Sequence, residues 1–312
     1  MRPLLGLLLV AVVTLTSCAS DTADDGERGP VIVATTSIWA DVVANVACDG
    51  LVDVQTIVPV GADPHAFEPS LADRGRIDSA QLIVANGLSL EEGLADTLDA
   101  TDTPVFTMAD HVATIDYATD VDHDDEDAGH DDEHDQGADP HVWLDPTRVR
   151  DAIGPLVDEM VATAGLDRAE VDACAAAYRS ELDTLDAEVA AILDAVPTER
   201  RALVTNHDSL GYLADRYGYE VVGTVIPTPS GLGATNPAQL EALAELIERR
   251  SVPAIFSETQ HSADDAEALA DRVGDVEVVT LRTGTLGDPG SGAETYLAMV
   301  RTNGELIADA LG

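Results

Sequence analysis

The 312-residue sequence predicts an α/β protein of two lobes, each a four-stranded parallel sheet with helices on both faces. In both halves of the chain, short β-rich runs alternate with helical patterns, as in parallel sheets with crossover helices. Between the halves, Arg168–Val196 forms a helical pattern that neither Gly nor Pro interrupts. At 1.5 Å per residue such a helix would be about 43 Å long. We therefore expect one long rigid helix, within residues 167–197, to join the lobes.

The N-terminal residues are excluded from this fold. Arg2 precedes an apolar run, Leu4–Leu15, which is shorter than the roughly 20 residues that span a bilayer. The following Leu-Thr-Ser-Cys, ending at Cys18, resembles the bacterial lipobox, in which cleavage leaves an acylated N-terminal cysteine. We expect residues 1–17 to be a lipoprotein signal peptide and 18–30 a flexible tether. An ordinary signal peptide is the alternative. The prediction is an extracytoplasmic protein held at the cell membrane by lipid on Cys18.

The first lobe is assigned to residues 31–166. Its predicted strands are Val31–Ser37, Val54–Val60, Leu82–Asn86 and Val105–Met108, and its clearest helical patterns are Ile38–Ala47 and Asp145–Ala164. Asp145 suits the capping position of the second helix, and Pro146 suits its first turn.

The second lobe, residues 198–312, shows the same alternation of strands and helices. Its predicted strands are Ala202–Asn206, Glu220–Ile226, Ala254–Ser257 and Glu277–Leu281, and its helices are Pro237–Arg250, Ala263–Val273 and Ala293–Leu311. In open α/β sheets the ligand lies beyond the carboxyl ends of the strands. The predicted binding site is therefore the cleft between the lobes.

An acidic segment, residues 116–139, interrupts the first lobe. It carries twelve Asp or Glu residues together with His123, His130 and His134. Such a segment cannot bury enough apolar surface to offset the entropy of ordering it, so we expect a disordered loop. Its imidazoles indicate a metal-collecting role. A plain solvated linker is the alternative.

The charge of the chain limits its partners. The formal net charge is −43 and the isoelectric point is about 4.1, and every one of the sixteen basic residues is Arg. Nucleic acid is an unsuitable partner because its affinity depends on Lys and Arg that neutralise phosphates. The charge fits a soluble surface, a high-salt habitat or a field that attracts cations, and composition does not choose among these.

Two cysteines remain after Cys18. Cys48 and Cys174 would lie in an oxidising compartment, where disulfide pairing is expected. Two buried free thiols are the alternative. Zinc coordination by these thiolates is less favoured, because neither lies in a Cys-x-x-Cys pair.

Three histidines fall at the expected edge of the sheets. His65 and His141 each follow an Asp-Pro pair, and His207 directly follows the first strand of the second lobe. Three imidazoles at strand ends, contributed by both lobes, predict a metal site. His111 and His261 have no comparable setting, and we expect them at the surface.

Three motifs now support a resemblance. Asp63–Pro69, Asp139–Pro146 and Thr205–Tyr212 resemble the ligand motifs of the ZnuA-like (TroA-like) zinc- and manganese-binding solute-binding lipoproteins of ABC transporters. Phe256–Gln260 and Thr295–Asn303 resemble two further segments of that family. The resemblance implies two lobes with metal between them, delivery to a membrane permease, and no catalysis. A metallochaperone stays open as a further partner, which the sequence itself does not reveal. The acidic His-rich loop resembles the zinc-handling branch.

The sequence departs from the family at one position. Many members place an Asp in the last strand of the second lobe as fourth ligand, where this chain has Gly284. The fourth position then falls to water, a loop imidazole, Glu258 or Asp288. Glu258 could equally orient a histidine through its other ring nitrogen. Three imidazoles with at most one oxygen favour Zn(II), because manganese prefers oxygen-rich sites.

The predicted function is capture of Zn(II) and its delivery to an ABC transporter permease. A manganese carrier of the same family is the first alternative. A zinc hydrolase with three histidine ligands is the second, although no His-Glu-x-x-His occurs. A lipoprotein for adhesion or organic solutes is the third, but its pocket would require aromatic walls, and aromatics make up 4% of the chain.

Overall fold

The computed structural model describes residues 29–48, 50–118, 137–228 and 230–312. The predicted signal peptide, Cys18 and nearly all of the predicted tether lie outside the described residues. So do residues 119–136, which include His123, His130 and His134, so the metal-collecting role of this loop stays a prediction.

Two four-stranded parallel sheets form the framework, as predicted. The first has the order β2-β1-β3-β4 and the second the order β6-β5-β7-β8. The strands are β1 (Val31–Ala34), β2 (Asp53–Thr56), β3 (Leu82–Ala85), β4 (Val105–Thr107), β5 (Ala202–Thr205), β6 (Glu220–Thr224), β7 (Ala254–Glu258) and β8 (Glu277–Leu281). Three of the predicted strands run two to four residues too far at their carboxyl ends. Thr36 shows why for β1, because its side chain accepts a hydrogen bond from the backbone N–H of Trp39 and starts a helix.

Nine α-helices occur in the described part of the chain. They are α1 (Ser37–Val46), α2 (Leu71–Ser79), α3 (Ala95–Ala100), α4 (Pro146–Ala164), α5 (Arg168–Leu193), α6 (Gly211–Tyr217), α7 (Pro237–Arg250), α8 (Asp264–Val273) and α9 (Tyr296–Leu311). Asp145 caps α4, accepting from the backbone N–H of Thr147 at 2.8 Å. Helix α9 begins later than predicted because Thr295 is its capping residue. No helix in the described ranges has the length and apolar character needed to cross a bilayer.

The long helix α5 joins the lobes. It has 26 residues, about 39 Å at 1.5 Å per residue, and ends at Leu193 rather than at the predicted Val196. It packs against α1 and α4 from the first lobe and against α9 from the second. A disulfide between Cys48 and Cys174 fastens α5 to the residues that follow α1.

One hydrophobic core spans both lobes. It includes Ile32 and Trp39 from the first lobe, Phe256 from the second, and Leu182 from α5, all at most 1% exposed. The outer face of each sheet has a smaller cluster of its own. The lobes therefore share their inner packing and are separate only at their outer layers.

Hydrogen bonds also cross between the lobes next to the cleft. The indole N–H of Trp143 donates to the carbonyl of Thr283 at 2.6 Å, and the hydroxyl of Tyr296 donates to the carbonyl of Trp143 at 2.6 Å. The backbone N–H of Leu286 donates to the hydroxyl of Ser37 at 3.0 Å. These contacts fix the spacing of the two lobes around the carboxyl ends of the strands.

Candidate metal centre

The three histidines at strand ends converge in the cleft. His65 lies in the loop after β2, where its backbone N–H donates to Oδ1 of Asp63 at 2.9 Å. His141 lies just before a short 3₁₀ turn, Val142–Leu144, and His207 lies two residues after β5. The three residues are 8%, 2% and 2% exposed, respectively. The expectation that both lobes contribute imidazoles to one cluster therefore agrees with the geometry.

The spacing of the ligand nitrogens suits a small cation. Nε2 of His141 lies 3.3 Å from Nε2 of His65 and 3.3 Å from Nε2 of His207. One ligand nitrogen from each ring lies within 4.8 Å of both others. Two nitrogens bound to one tetrahedral zinc at 2.0–2.1 Å are about 3.3 Å apart. The two distances from His141 therefore match the spacing of ligands on one tetrahedral zinc.

Carboxylates lie behind two of the rings. Nδ1 of His141 is 2.7 Å from Oδ1 of Asp139, which also accepts the backbone N–H of His141 at 2.9 Å. Nδ1 of His207 is 2.7 Å from Oε1 of Glu258. Such partners fix the orientation of a metal-binding ring and raise its basicity. Of the two roles expected for Glu258, the geometry matches the orienting one.

Two of the three converging imidazoles, those of His65 and His141, are uncharged near neutral pH. Burial, together with the neighbouring His141 and His207, lowers the pKa of His65 to about 2. Burial and His207 lower the pKa of His141 to about 3. Since only neutral imidazole binds a metal ion, these two rings are ready to coordinate without losing a proton.

The pKa values of His207, Glu258 and Asp139 depend on their neighbours as well as on burial. Burial acts to lower the pKa of His207, but the Glu258 carboxylate outweighs it, so the pKa is raised. Burial acts to raise the pKa of Glu258, yet His207 holds it at about 2. Burial raises the pKa of Asp139 to about 8, although the hydrogen bond from the backbone N–H of His141 acts to lower it. A cation bound between the rings would favour the charged form of Asp139.

The space inside the cluster is small. The cavity bounded by the three histidines, Leu90 and Trp143 has a volume of about 10 Å³. That is about the volume of a single water-sized probe. An organic solute does not fit, which argues against the adhesion or organic-solute class among the sequence-based alternatives.

The side chain of Gln260 occupies the space beside Gly284. Gly284 borders the cavity, but a Cβ atom on it would collide with the side-chain amide nitrogen of Gln260. That amide donates to the hydroxyl of Thr283 at 3.3 Å, and its oxygen accepts from the hydroxyl of Thr259 at 2.8 Å. Asp288, a predicted candidate for the fourth ligand, is exposed and outside the cluster.

The expectation for His261 was wrong. This residue is half-buried, and its ring centroid lies 5.1 Å from that of His207. A signal was available, since His261 lies three residues after β7, at the same edge of the sheet as His207. His111, by contrast, is exposed and stacks on Phe106, as expected of a surface residue.

Asn86 is a supporting residue that no motif indicated. Its side-chain amide donates to the carbonyl of Pro140 at 2.9 Å, and its oxygen accepts the indole N–H of Trp39 at 3.2 Å. Buried Glu91 in turn accepts the backbone N–H of Asn86 at 2.8 Å. This network holds the segment that carries His141 against the first sheet.

Comparison with known proteins places the chain in a family. A family model described as ZnuA, zinc-uptake complex component A periplasmic, matches residues 32–310. The chain belongs to the ZnuA family. Members of this family are substrate-binding proteins of metal ABC transporters and not enzymes. The hydrolase alternative is therefore excluded, and the two carboxylates behind the rings have a supporting role consistent with a binding protein.

The relatives within the ZnuA family differ in the metal they are named for. The manganese-binding lipoprotein MntA of Halalkalibacterium halodurans is 29% identical over 98% of this chain and 96% of its own. The zinc-binding protein TroA of Treponema pallidum is 30% identical over 94% of this chain and 92% of its own.

Solved structures confirm the two-lobed fold. The structure of periplasmic zinc-binding TroA from Treponema pallidum has a TM-score of 0.79 at 29% identity, covering 91% of this chain and 99% of TroA. A cadmium-bound periplasmic metal-binding protein of Candidatus Liberibacter asiaticus has a TM-score of 0.77 at 25% identity, covering 91% and 100% of the two chains.

Proposed function

We propose that this ZnuA family protein captures Zn(II) between its lobes and delivers it to an ABC transporter permease. His65, His141 and His207 are its proposed ligands. One observation carries the proposal: Nε2 of His141 lies 3.3 Å from Nε2 of both His65 and His207, the spacing of ligands on a tetrahedral zinc, and all three rings are buried.

Zinc is preferred over manganese because of the donor atoms. The carboxylates of Asp139 and Glu258 face Nδ1 atoms rather than the centre of the cluster, and Gly284 supplies no oxygen. Manganese prefers higher-coordinate, oxygen-rich sites, whereas a set of imidazoles suits zinc. A manganese carrier remains the second candidate, since a 29%-identical relative is named for manganese.

The proposed setting is extracytoplasmic. Relatives are described as periplasmic or as lipoproteins, which supports attachment of this chain through lipid on Cys18. Their description as components of ABC transporters supports a permease as the partner, while the names of these relatives give no support to a metallochaperone.

The test is zinc and manganese binding by the mature protein. Protein purified without added metal should contain about one equivalent of zinc, and zinc should displace manganese from the site. His65→Ala, His141→Ala and His207→Ala should each abolish tight binding in competition with a chelator, with circular dichroism unchanged. His111→Ala removes a surface imidazole and is the matched control. A histidine whose removal leaves the affinity at the wild-type value is not a ligand, and a preference for manganese would replace zinc as the cargo.

A further inference from the structure

Among the residues that the structure describes, His261 is the one imidazole near the cluster that the proposed function leaves without a role. One of its ring nitrogens lies within 4.8 Å of ligand atoms of both His207 and Glu258. Its Nε2 atom is buried, yet it makes no hydrogen bond to any residue within the described ranges. Buried polar nitrogens are nearly always bonded. An unbonded imidazole nitrogen beside three convergent imidazoles is therefore a metal-ligand candidate.

Two polar neighbours of His261, Glu258 and Gln260, are already hydrogen-bonded. Oε1 of Glu258 faces Nδ1 of His207 and accepts the hydroxyl of Ser209 at 3.0 Å, and Oε2 accepts the hydroxyl of Thr283. Gln260 is hydrogen-bonded through both ends of its amide. Of Glu258, Gln260 and His261, only His261 has a ring nitrogen without a hydrogen bond among the described residues.

We propose that His261 is the fourth ligand of the bound cation, in place of the carboxylate that Gly284 lacks. This inference rests on the proposed function. His261 stands just outside the close group formed by His65, His141 and His207, so coordination requires its ring to turn inwards about its side-chain bonds. The closed site would then consist of four imidazoles.

Gly231 allows the loop that covers His261 to approach its ring closely. A Cβ atom on Gly231 would lie 3.0 Å from Cε1 and 3.1 Å from Nε2 of His261, tighter than ordinary van der Waals contact. Gly231 also has φ +70°, a conformation that favours glycine. The loop that covers His261 therefore carries no side chain where the ring lies. The ring of His261 is half-buried and its Nε2 has no hydrogen-bond partner among the described residues, whereas the buried rings of His141 and His207 each have a carboxylate 2.7 Å from Nδ1.

A site of four imidazoles has a defined chemical preference. Imidazole nitrogen suits Zn²⁺, Cu²⁺ and Ni²⁺, while Mn²⁺ and Mg²⁺ favour oxygen. With no carboxylate on the cation, the complex keeps the full 2+ charge. Because His261 lies at the outer edge, it is also the ligand from which an arriving cation would pass to the three buried rings.

X-ray absorption of the zinc-loaded full-length protein tests this assignment by counting imidazole ligands. The wild type and the His111→Ala control should each show four imidazoles. His261→Ala should show three imidazoles with one water oxygen. Its zinc affinity in chelator competition should fall by at least about tenfold, which is the smallest effect typical of losing a residue that supports a metal ligand. Cobalt substitution gives a second readout, because the visible absorption weakens when a tetrahedral site expands. His261→Gln keeps a similar size and replaces His261→Ala should the alanine variant not fold.

The outcomes separate this inference from the function it rests on. Three imidazoles in the wild type, or an unchanged zinc affinity in the His261 variant, would overturn the assignment while leaving the three-histidine site intact. Four imidazoles remaining in His261→Ala would assign the fourth position to another histidine and also overturn it. Wild-type affinity in His141→Ala would instead refute the three-histidine site and the proposed function together.

Discussion

Nδ1 of His207 lies 2.7 Å from Oε1 of Glu258, while Nε2 of the same ring lies 3.3 Å from Nε2 of His141. The two nitrogens of one imidazole therefore have separate partners: a carboxylate behind it and the cluster in front. Ser209 and Thr283 hold the carboxylate in place through their hydroxyls. The orientation of His207 is thus set by the second lobe before any cation arrives.

Replacement of Glu258 by Gln should weaken zinc binding without abolishing it. An amide keeps the size of the side chain but loses the charge that orients and polarises His207, and loss of such a partner typically costs about 10- to 100-fold in affinity. Chelator competition measures the effect. Glu245→Gln, at an exposed position on α7, is the matched control and should bind as the wild type does. Equal affinities in the two variants would remove Glu258 from the site.

Zinc affinity should increase as the pH rises through the pKa of His207. Because Glu258 raises this pKa, His207 keeps its proton to a higher pH than an ordinary histidine, and zinc must displace it. Asp139, with a pKa of about 8, also loses a proton when a cation binds nearby. His65 and His141, with pKa values of about 2 and 3, release none.

Calorimetry in buffers of different ionisation enthalpy counts these protons. Near neutral pH the wild type should release protons on binding zinc, and Glu258→Gln should release fewer because the pKa of His207 falls. An equal proton release in both proteins would contradict the link between Glu258 and His207.

Restoring an acidic residue at Gly284 should shift the preference towards manganese. Because a side chain at Gly284 collides with Gln260, the substitution has to be made as Gly284→Asp together with Gln260→Ala. The added carboxylate supplies the oxygen that manganese favours. Competition of manganese against zinc should improve relative to Gln260→Ala alone, which is the control. An unchanged ratio would mean that the aspartate does not reach the cation.

Deletion of Asp122–Gln136 should leave the tight zinc equivalent intact. The deletion removes three imidazoles and nine carboxylates but none of the proposed ligands in the cleft. A tethered acidic segment raises the local cation concentration and holds metal weakly. Weaker equivalents should therefore disappear in titration calorimetry, and stopped-flow loading should slow most at low ionic strength. A large loss at the tight site would place a loop histidine among its ligands, whereas no change of any kind would make the segment a plain linker.

Removal of the Cys48–Cys174 disulfide should destabilise the protein. The bridge spans 126 residues of sequence, and loss of a native disulfide typically costs about 2–5 kcal/mol. Denaturant unfolding of the Cys48→Ser, Cys174→Ser double variant measures the difference from wild type. Mass spectrometry of the non-reduced protein should show the link directly. Free thiols at both positions would contradict it.

The sheets could be predicted because their strands are short, apolar and separated by clear helical patterns. Their ends were harder to predict, since they depend on local hydrogen bonds. The run Val31–Ser37 reads as one strand, but the chain leaves the sheet after Ala34 when Thr36 caps the next helix. In the same way the long helix stops at Leu193, although the apolar Val196 continues its sequence pattern.

The candidate ligands could be predicted where a motif coincided with a strand end. His65, His141 and His207 met both conditions. His261 met only the second, and its approach to His207 depends on the turn in which its backbone N–H donates to the carbonyl of Glu258 at 3.2 Å. The contact of Asn86 with Pro140 joins residues 54 positions apart, and only the folded chain brings these together.

The hydrophobic core shared by the lobes limits how this protein can be rearranged. Helix α5 packs against helices of both lobes, so a cut at this helix would divide side chains that stabilise one another, and neither fragment would keep a complete interior. A chimera that exchanges a whole lobe with a relative would join two halves of unmatched cores. The ligand-bearing loops, in contrast, lie at the rim of the sheets. Metal preference can therefore change by small substitutions in these loops while the interior stays constant.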